Sequence, residues 1–197
     1  MLDSWLGRPD GLVARGLDRL ARALVRAGVT ADGLSYAALA AGLIGAACFY
    51  ADRGWWALAA LLGSGLCDAV DGRVARLGAG ATPWGGVLDL TFDRIVEAAV
   101  LLGIALPHPA WHLPALVLAC TWYVNLCVFL AVGAASERTG EKLIVYPPGL
   151  LERGEALIFA LAVVLAPSWT PAAAYVYAAL EVFTGAQRFR HGRAHCA

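Results

Sequence analysis

Four aspartates fall in two pairs, Asp68 with Asp71 and Asp89 with Asp93. Spacings of three and four residues place each pair on one face of a helix. Carboxylates brought together repel one another unless cations neutralise them, and an all-oxygen ligand set suits hard divalent ions such as Mg²⁺ or Mn²⁺. The two pairs are also matched in depth. Trp55 and Trp56 read as interfacial aromatics, and Asp71 lies roughly 24 Å further along a helix at ~1.5 Å per residue. From Asp93 back out to Leu106 the same rise gives about 20 Å. The other reading pairs these aspartates with Arg73, Arg76 and Arg94 as surface salt bridges. It serves either pair alone better than both pairs at one depth.

The segments that must hold these carboxylates are strongly apolar. Of 197 residues, 60% are hydrophobic and 15% charged, with mean hydropathy +0.66. Soluble domains run nearer ~45–50% apolar and ~25% charged. This composition excludes disorder and a disulfide-stapled secreted fold. The balance of 15 basic and 15 acidic residues leaves no basic field for nucleic acid. The expected fold is an all-α membrane protein, with six transmembrane helices preceded by an amphipathic interfacial helix. The spans fall at about 33–51, 54–77, 85–106, 114–135, 150–166 and 170–189. Thr82 and Pro83 fit the N-cap and first turn of the third.

Ahead of the spans, residues 9–28 put Leu12, Val13, Leu17, Leu20, Leu24 and Val25 on one stripe. Arg15, Arg19, Arg22 and Arg26 lie on another, the pattern of a helix resting on an anionic leaflet. The expected organisation is a juxtamembrane segment (1–32), a six-helix domain (33–189) and a cytoplasmic tail (190–197). Lys and Arg concentrate in the N-terminal helix, at 73–76, at 138–153 and in the tail. That distribution places both termini and the aspartates on the cytoplasmic side of a multi-pass protein of the cell's inner membrane. No cleavable signal peptide is expected, since the first 28 residues are Arg-studded. Cysteines at 48, 67, 120, 127 and 196 have no CxxC spacing and read as reduced packing thiols. His108, His112, His191 and His195 form no nucleophilic arrangement with the aspartates.

The run Asp68-Ala-Val-Asp71-Gly72-Arg-Val-Ala75-Arg76, eight residues, Gly85, three residues, Asp89, three residues, Asp93 resembles a known signature. It is that of the CDP-alcohol phosphatidyltransferase family, D-x2-D-G-x2-A-R-x8-G-x3-D-x3-D, and every fixed position matches. The span layout and the N-terminal helix extend the resemblance over nearly the whole chain. It implies transfer of a phosphatidyl-type group from a CDP-linked lipid, such as CDP-diacylglycerol, to a polar alcohol with release of CMP. That is a step of phospholipid biosynthesis. By resemblance Asp68, Asp71 and Asp89 hold a divalent ion, with Asp93 at the edge of a two-ion Mg²⁺ or Mn²⁺ cluster. Asp93 is then the catalytic general base for the acceptor hydroxyl, while Gly72, Ala75, Arg76 and Gly85 receive the CDP group. Gly72 and Ala75 equally suit small-residue helix contacts. The family also implies a homodimer.

Acceptor residues are marked by resemblance to members specific for inositol phosphate: Arg153 beside Glu152, and Arg188 in the run Gln187-Arg188-Phe189-Arg190. Positive-inside anchoring explains Arg188 and Arg190 as well. Two departures stand out. Asn125 replaces the lysine of such members, which counts against inositol phosphate and leaves glycerol 3-phosphate or another polar alcohol open. Ala31-Asp32 replaces Pro-Asn or Pro-Asp, with Thr30 placed to cap. The alternative function is a divalent-cation transporter or channel. It predicts carboxylates strung across the bilayer or two repeated halves, and residues 114–189 repeat nothing of the cluster.

Overall fold

Apolar runs broken by Gly, Pro and charge become helices in the computed structural model, which describes residues 12–78, 80, 82–137 and 153–196. In chain order these are α1 (Leu12–Arg26), α2 (Ala31–Tyr50), α3 (Gly54–Leu77), α4 (Pro83–Ala105), α5 (His112–Glu137), α6 (Arg153–Leu165) and α7 (Thr170–Cys196). Each expected segment is present over its described residues, with other ends moved by a few residues; the expected starts at 9–11 and 150–152 lie outside the described residues. The exception is α7, which continues past residue 189 to Cys196, so residues 190–196 of the segment expected as a tail are helical. No proline interrupts Gln187–Arg193, and Gly192 lies directly against the Val132 side chain. Leu2–Pro109 and Ala110–Ala197 form two compact units.

In the first unit, local chemistry fixes the helix ends. Gly28 adopts φ +77°. Its N–H donates to the Val25 carbonyl while the Val29 N–H reaches Leu24, both at 3.0 Å. This is the Schellman pattern that closes α1. Thr30 and Thr82 cap α2 and α4, their hydroxyls accepting from the Gly33 and Gly85 N–H groups at 3.1 and 3.0 Å. At the other end of these helices, His108 Nε2 lies 3.0 Å from Asp52 Oδ1.

Helix α2 is the post on which α3 and α4 are mounted. A Cβ at Gly42 would strike Val96 of α4, one at Gly103 would strike the Ala46 carbonyl, and one at Gly45 would crowd Leu61 of α3. These close approaches need small residues, as in membrane helix packing. The Ser64 hydroxyl donates to the Ala38 carbonyl at 2.8 Å, tying α3 to α2 again.

The amphipathic helix differs from expectation. Leu17, Ala21, Leu24 and Val25 pack with Leu34, Val70 and Val74, so much of the apolar stripe faces protein instead of lipid. Val13 and Leu20 stay exposed, and Arg73 of α3 bonds Asp18 of α1 at 2.9 Å. The reason is that α3 carries Val70 and Val74 into its charged end, and they need cover.

In the second unit α5 and α7 pair along buried Leu118, Ala174 and Ala178. Tyr177 stacks edge-on to Trp122 and tilts against Phe159 of α6, with ring centroids 5.9 and 5.4 Å away. Among the described residues, two helical segments are long and apolar enough to cross a bilayer, Ala31–Tyr50 and Pro109–Ala135. Helices α3 and α4 are long enough, but their aspartates and arginines raise the charge count. Outward-facing Trp55, Trp56, Ile44, Leu116 and Val124 give the apolar exterior of a membrane protein. Cys48, Cys67, Cys120 and Cys127 are free thiols, and Cys120 and Cys127 are exposed instead of packed.

Candidate active site

The end of α3 and the start of α4 bring three of the four expected carboxylates to one point. Asp68, Asp71 and Asp89 each offer an oxygen, all within 4.8 Å of one another, and each residue is half-buried. Carboxylate oxygens gathered this closely are a ligand set suited to a hard divalent cation. Asp93, one turn on along α4, is half-buried and lies outside that group of three.

Of the arginines offered as their salt-bridge partners, two have partners of their own. Arg73 bonds Asp18 and the Ala69 carbonyl, and Arg94 pairs with Glu97 at 2.6 Å. Arg76 is exposed, with Nη1 3.6 Å from where a Cβ on Gly72 would stand. That is ordinary contact with the far end of a flexible side chain. At Gly85 an added Cβ would meet only the Thr82 hydroxyl, at 3.4 Å. Among the described residues packing therefore demands neither glycine, in contrast to Gly42 and Gly103. Ala75 is half-buried on the same helix.

One participant had no mark in the sequence. Ser35 of α2, buried at 8% exposure, directs its hydroxyl to Asp71 Oδ2 at 2.7 Å.

The residues expected to meet the acceptor belong to the second unit. Arg153 is the first residue of α6, and its side chain lies outside the described residues, as do Arg138, Lys142 and Glu152. Arg188 Nη1 donates to Asn125 Oδ1 at 2.9 Å, with its guanidinium 5.2 Å from the centre of the Phe129 ring. The Asn125 amide donates in turn to buried Glu181. Asn125 thus joins a cation to a carboxylate. Glu181 is a second residue missed by sequence reasoning, although a carboxylate inside an apolar helix is a functional signal by default.

The family model for CDP-alcohol phosphatidyltransferase matches residues 28–186. The chain is 35% identical over 146 residues to phosphatidylinositol phosphate synthase of Mycolicibacterium smegmatis, covering 72% of this chain and 64% of that one. It is 29% identical to archaetidylinositol phosphate synthase of Pyrococcus horikoshii, covering 74% of each. The match thus spans just under two thirds of the mycobacterial relative's length. Among solved structures, Mycobacterium tuberculosis phosphatidylinositol phosphate synthase with CDP-DAG bound superposes with TM-score 0.73 at 26% identity. The superposition covers 91% of this chain and 94% of that one. The same enzyme in complex with manganese and citrate gives TM-score 0.72, covering 90% and 88%.

Proposed function

The chain belongs to the CDP-alcohol phosphatidyltransferase family, and from that premise we propose that it transfers a phosphatidyl group from CDP-diacylglycerol to a phosphorylated polar alcohol, releasing CMP. The observation that carries this reading is the convergence of Asp68, Asp71 and Asp89 on one ion-sized spot within the family motif. Divalent Mg²⁺ or Mn²⁺, bound as one ion or as a pair with Asp93 at its edge, would neutralise the diphosphate and the departing CMP. The manganese complex of the tuberculosis relative supports a divalent ion.

The remaining roles fall to side chains of this chain. Gly72 and Gly85 keep the helix backbone open to the nucleotide, with Ala75 leaving room one turn on. Arg76 offers its guanidinium fork to the diphosphate. Asp93, set apart from the three converging carboxylates, accepts the proton of the acceptor hydroxyl as that oxygen attacks phosphorus. Arg153 and Arg188 hold the acceptor's own phosphate.

Asn125 in place of a lysine counted against inositol phosphate as acceptor. The relatives, synthases of inositol phosphate lipids, count for it, and Asn125 contacts the cation Arg188. Inositol phosphate is accordingly the first acceptor to try. A cation transporter has no support: the carboxylates that converge do so at one end of α3 and α4, and the family match spans most of the chain.

Family membership supports a homodimer. Family membership, the exposed apolar side chains and the basic loops support six spans in the inner membrane, with the site and both termini cytoplasmic.

The test is CMP release from CDP-diacylglycerol by detergent-purified protein with Mg²⁺ or Mn²⁺, across inositol phosphate, inositol and glycerol 3-phosphate. Release should require one acceptor and vanish with chelator. Asp93→Asn should abolish transfer while leaving CDP-lipid binding intact; wild-type rates in that variant would remove Asp93 from the base role.

A further inference from the structure

We propose that Ser35 is a positioning residue for the metal site, its hydroxyl fixing the Asp71 carboxylate in the orientation that binds a divalent ion. The inference rests on the reading of Asp68, Asp71 and Asp89 as ligands, and adds a third helix to the site.

A serine within a helix usually returns its proton to the carbonyl four residues back. Here that carbonyl, Ala31, is 3.3 Å from Oγ, whereas Asp71 Oδ2 is at 2.7 Å. The hydroxyl has one proton to give, and the shorter, charge-assisted contact takes it. A carboxylate has about four lone-pair positions; this bond occupies one and restricts rotation about the terminal torsion.

Packing sets both ends of the bond. Leu34 and Val70, the chain neighbours of Ser35 and Asp71, lie in one buried cluster with Ala21 of α1 and Val74 of α3. The Thr30 cap holds the first turn of α2, and Gly42 against Val96 holds its middle. The Ser35 oxygen therefore has little freedom to follow Asp71 if the carboxylate turns away.

The test is Mn²⁺ binding by the full chain in detergent, read from the electron paramagnetic resonance signal of free Mn²⁺ without substrates. Losing an outer-shell partner typically weakens metal affinity 10–100-fold, so Ser35→Ala should raise the Mn²⁺ dissociation constant about tenfold or more. Ser35→Cys, with similar volume and only a weak donor, should do likewise. Ser35→Thr should restore binding to within about twofold, since the hydroxyl is retained. Ser64→Ala, which removes the hydroxyl that tethers α3 to Ala38, should leave Mn²⁺ affinity unchanged while lowering thermal stability.

Unaltered affinity in Ser35→Ala or Ser35→Cys, with binding lost in Asp71→Asn, would overturn the role of Ser35 and leave the ligand assignment standing. Failure of Ser35→Thr to restore binding would overturn it in favour of simple packing. Absence of Mn²⁺ binding in the wild type, or full binding in Asp71→Asn, would overturn both.

Discussion

Replacing Gly72 by alanine adds one methyl group to α3, and the structure gives its surroundings. The nearest atom is Arg76 Nη1 at 3.6 Å, an ordinary van der Waals contact with a side chain that can swing aside. No steric penalty falls on the protein. A glycine inside a helix is less favourable than alanine by about 0.5–1 kcal/mol, so Gly72→Ala should be slightly more stable than the wild type. Activity should move the other way. If the nucleotide lies on the backbone at this position, the methyl occupies ligand space, and displacing a reacting group by about 1 Å is worth on the order of 100-fold in rate. Thermal unfolding in detergent and CMP release at varied CDP-diacylglycerol would be measured on the same preparation. A stable protein with greatly reduced turnover or raised KM for the CDP-lipid is expected. Wild-type kinetics would show that nothing approaches α3 at Gly72, and a fall in melting temperature would show that the space there belongs to packing.

Gly103→Ala should behave oppositely, because its methyl would press on the Ala46 carbonyl of α2. Overpacking of this kind costs about 1–3 kcal/mol, and thermal unfolding should show it as a clear drop. Asn125→Ala takes a donor from buried Glu181 and an acceptor from Arg188, and should destabilise the chain by about 1–3 kcal/mol. It should also raise KM for a phosphorylated acceptor more than KM for CDP-diacylglycerol; equal effects on both would detach Arg188 from acceptor recognition.

The helices and their caps were legible because their causes are local. Thr30 and Thr82 cap by bonding N–H groups three residues on, and the apolar runs end where Gly, Pro or charge ends them. The meeting of Asp68, Asp71 and Asp89 was legible from helical spacing and rise. Spacing alone grouped all four aspartates, yet one further turn along α4 is enough to leave Asp93 outside the trio. Ser35 had no signal: a serine among alanines and leucines reads as one bonded to its own helix, and its partner is 36 positions away. Glu181 stood in plain view as a carboxylate in an apolar run, but its partner Asn125 is 56 positions away, and nothing local joins them. The stripe on α1 looks the same whether lipid or Val70 and Val74 covers it. Only tertiary structure decides between them.

That docking of α1 has a consequence for how such a chain can be cut or recombined. A boundary drawn at residue 32 follows the change in hydropathy, yet it passes through the cluster of Ala21, Leu34, Val70 and Val74 and severs the Asp18–Arg73 pair. The N-terminal helix thus packs on the aspartate-bearing helix within one compact unit. A chimera that borrows this helix from a relative must also borrow the faces of α2 and α3 beneath it. A truncation that discards it would leave Val70 and Val74 uncovered beside Asp71, so deletion phenotypes would report a disturbed site as readily as lost membrane attachment.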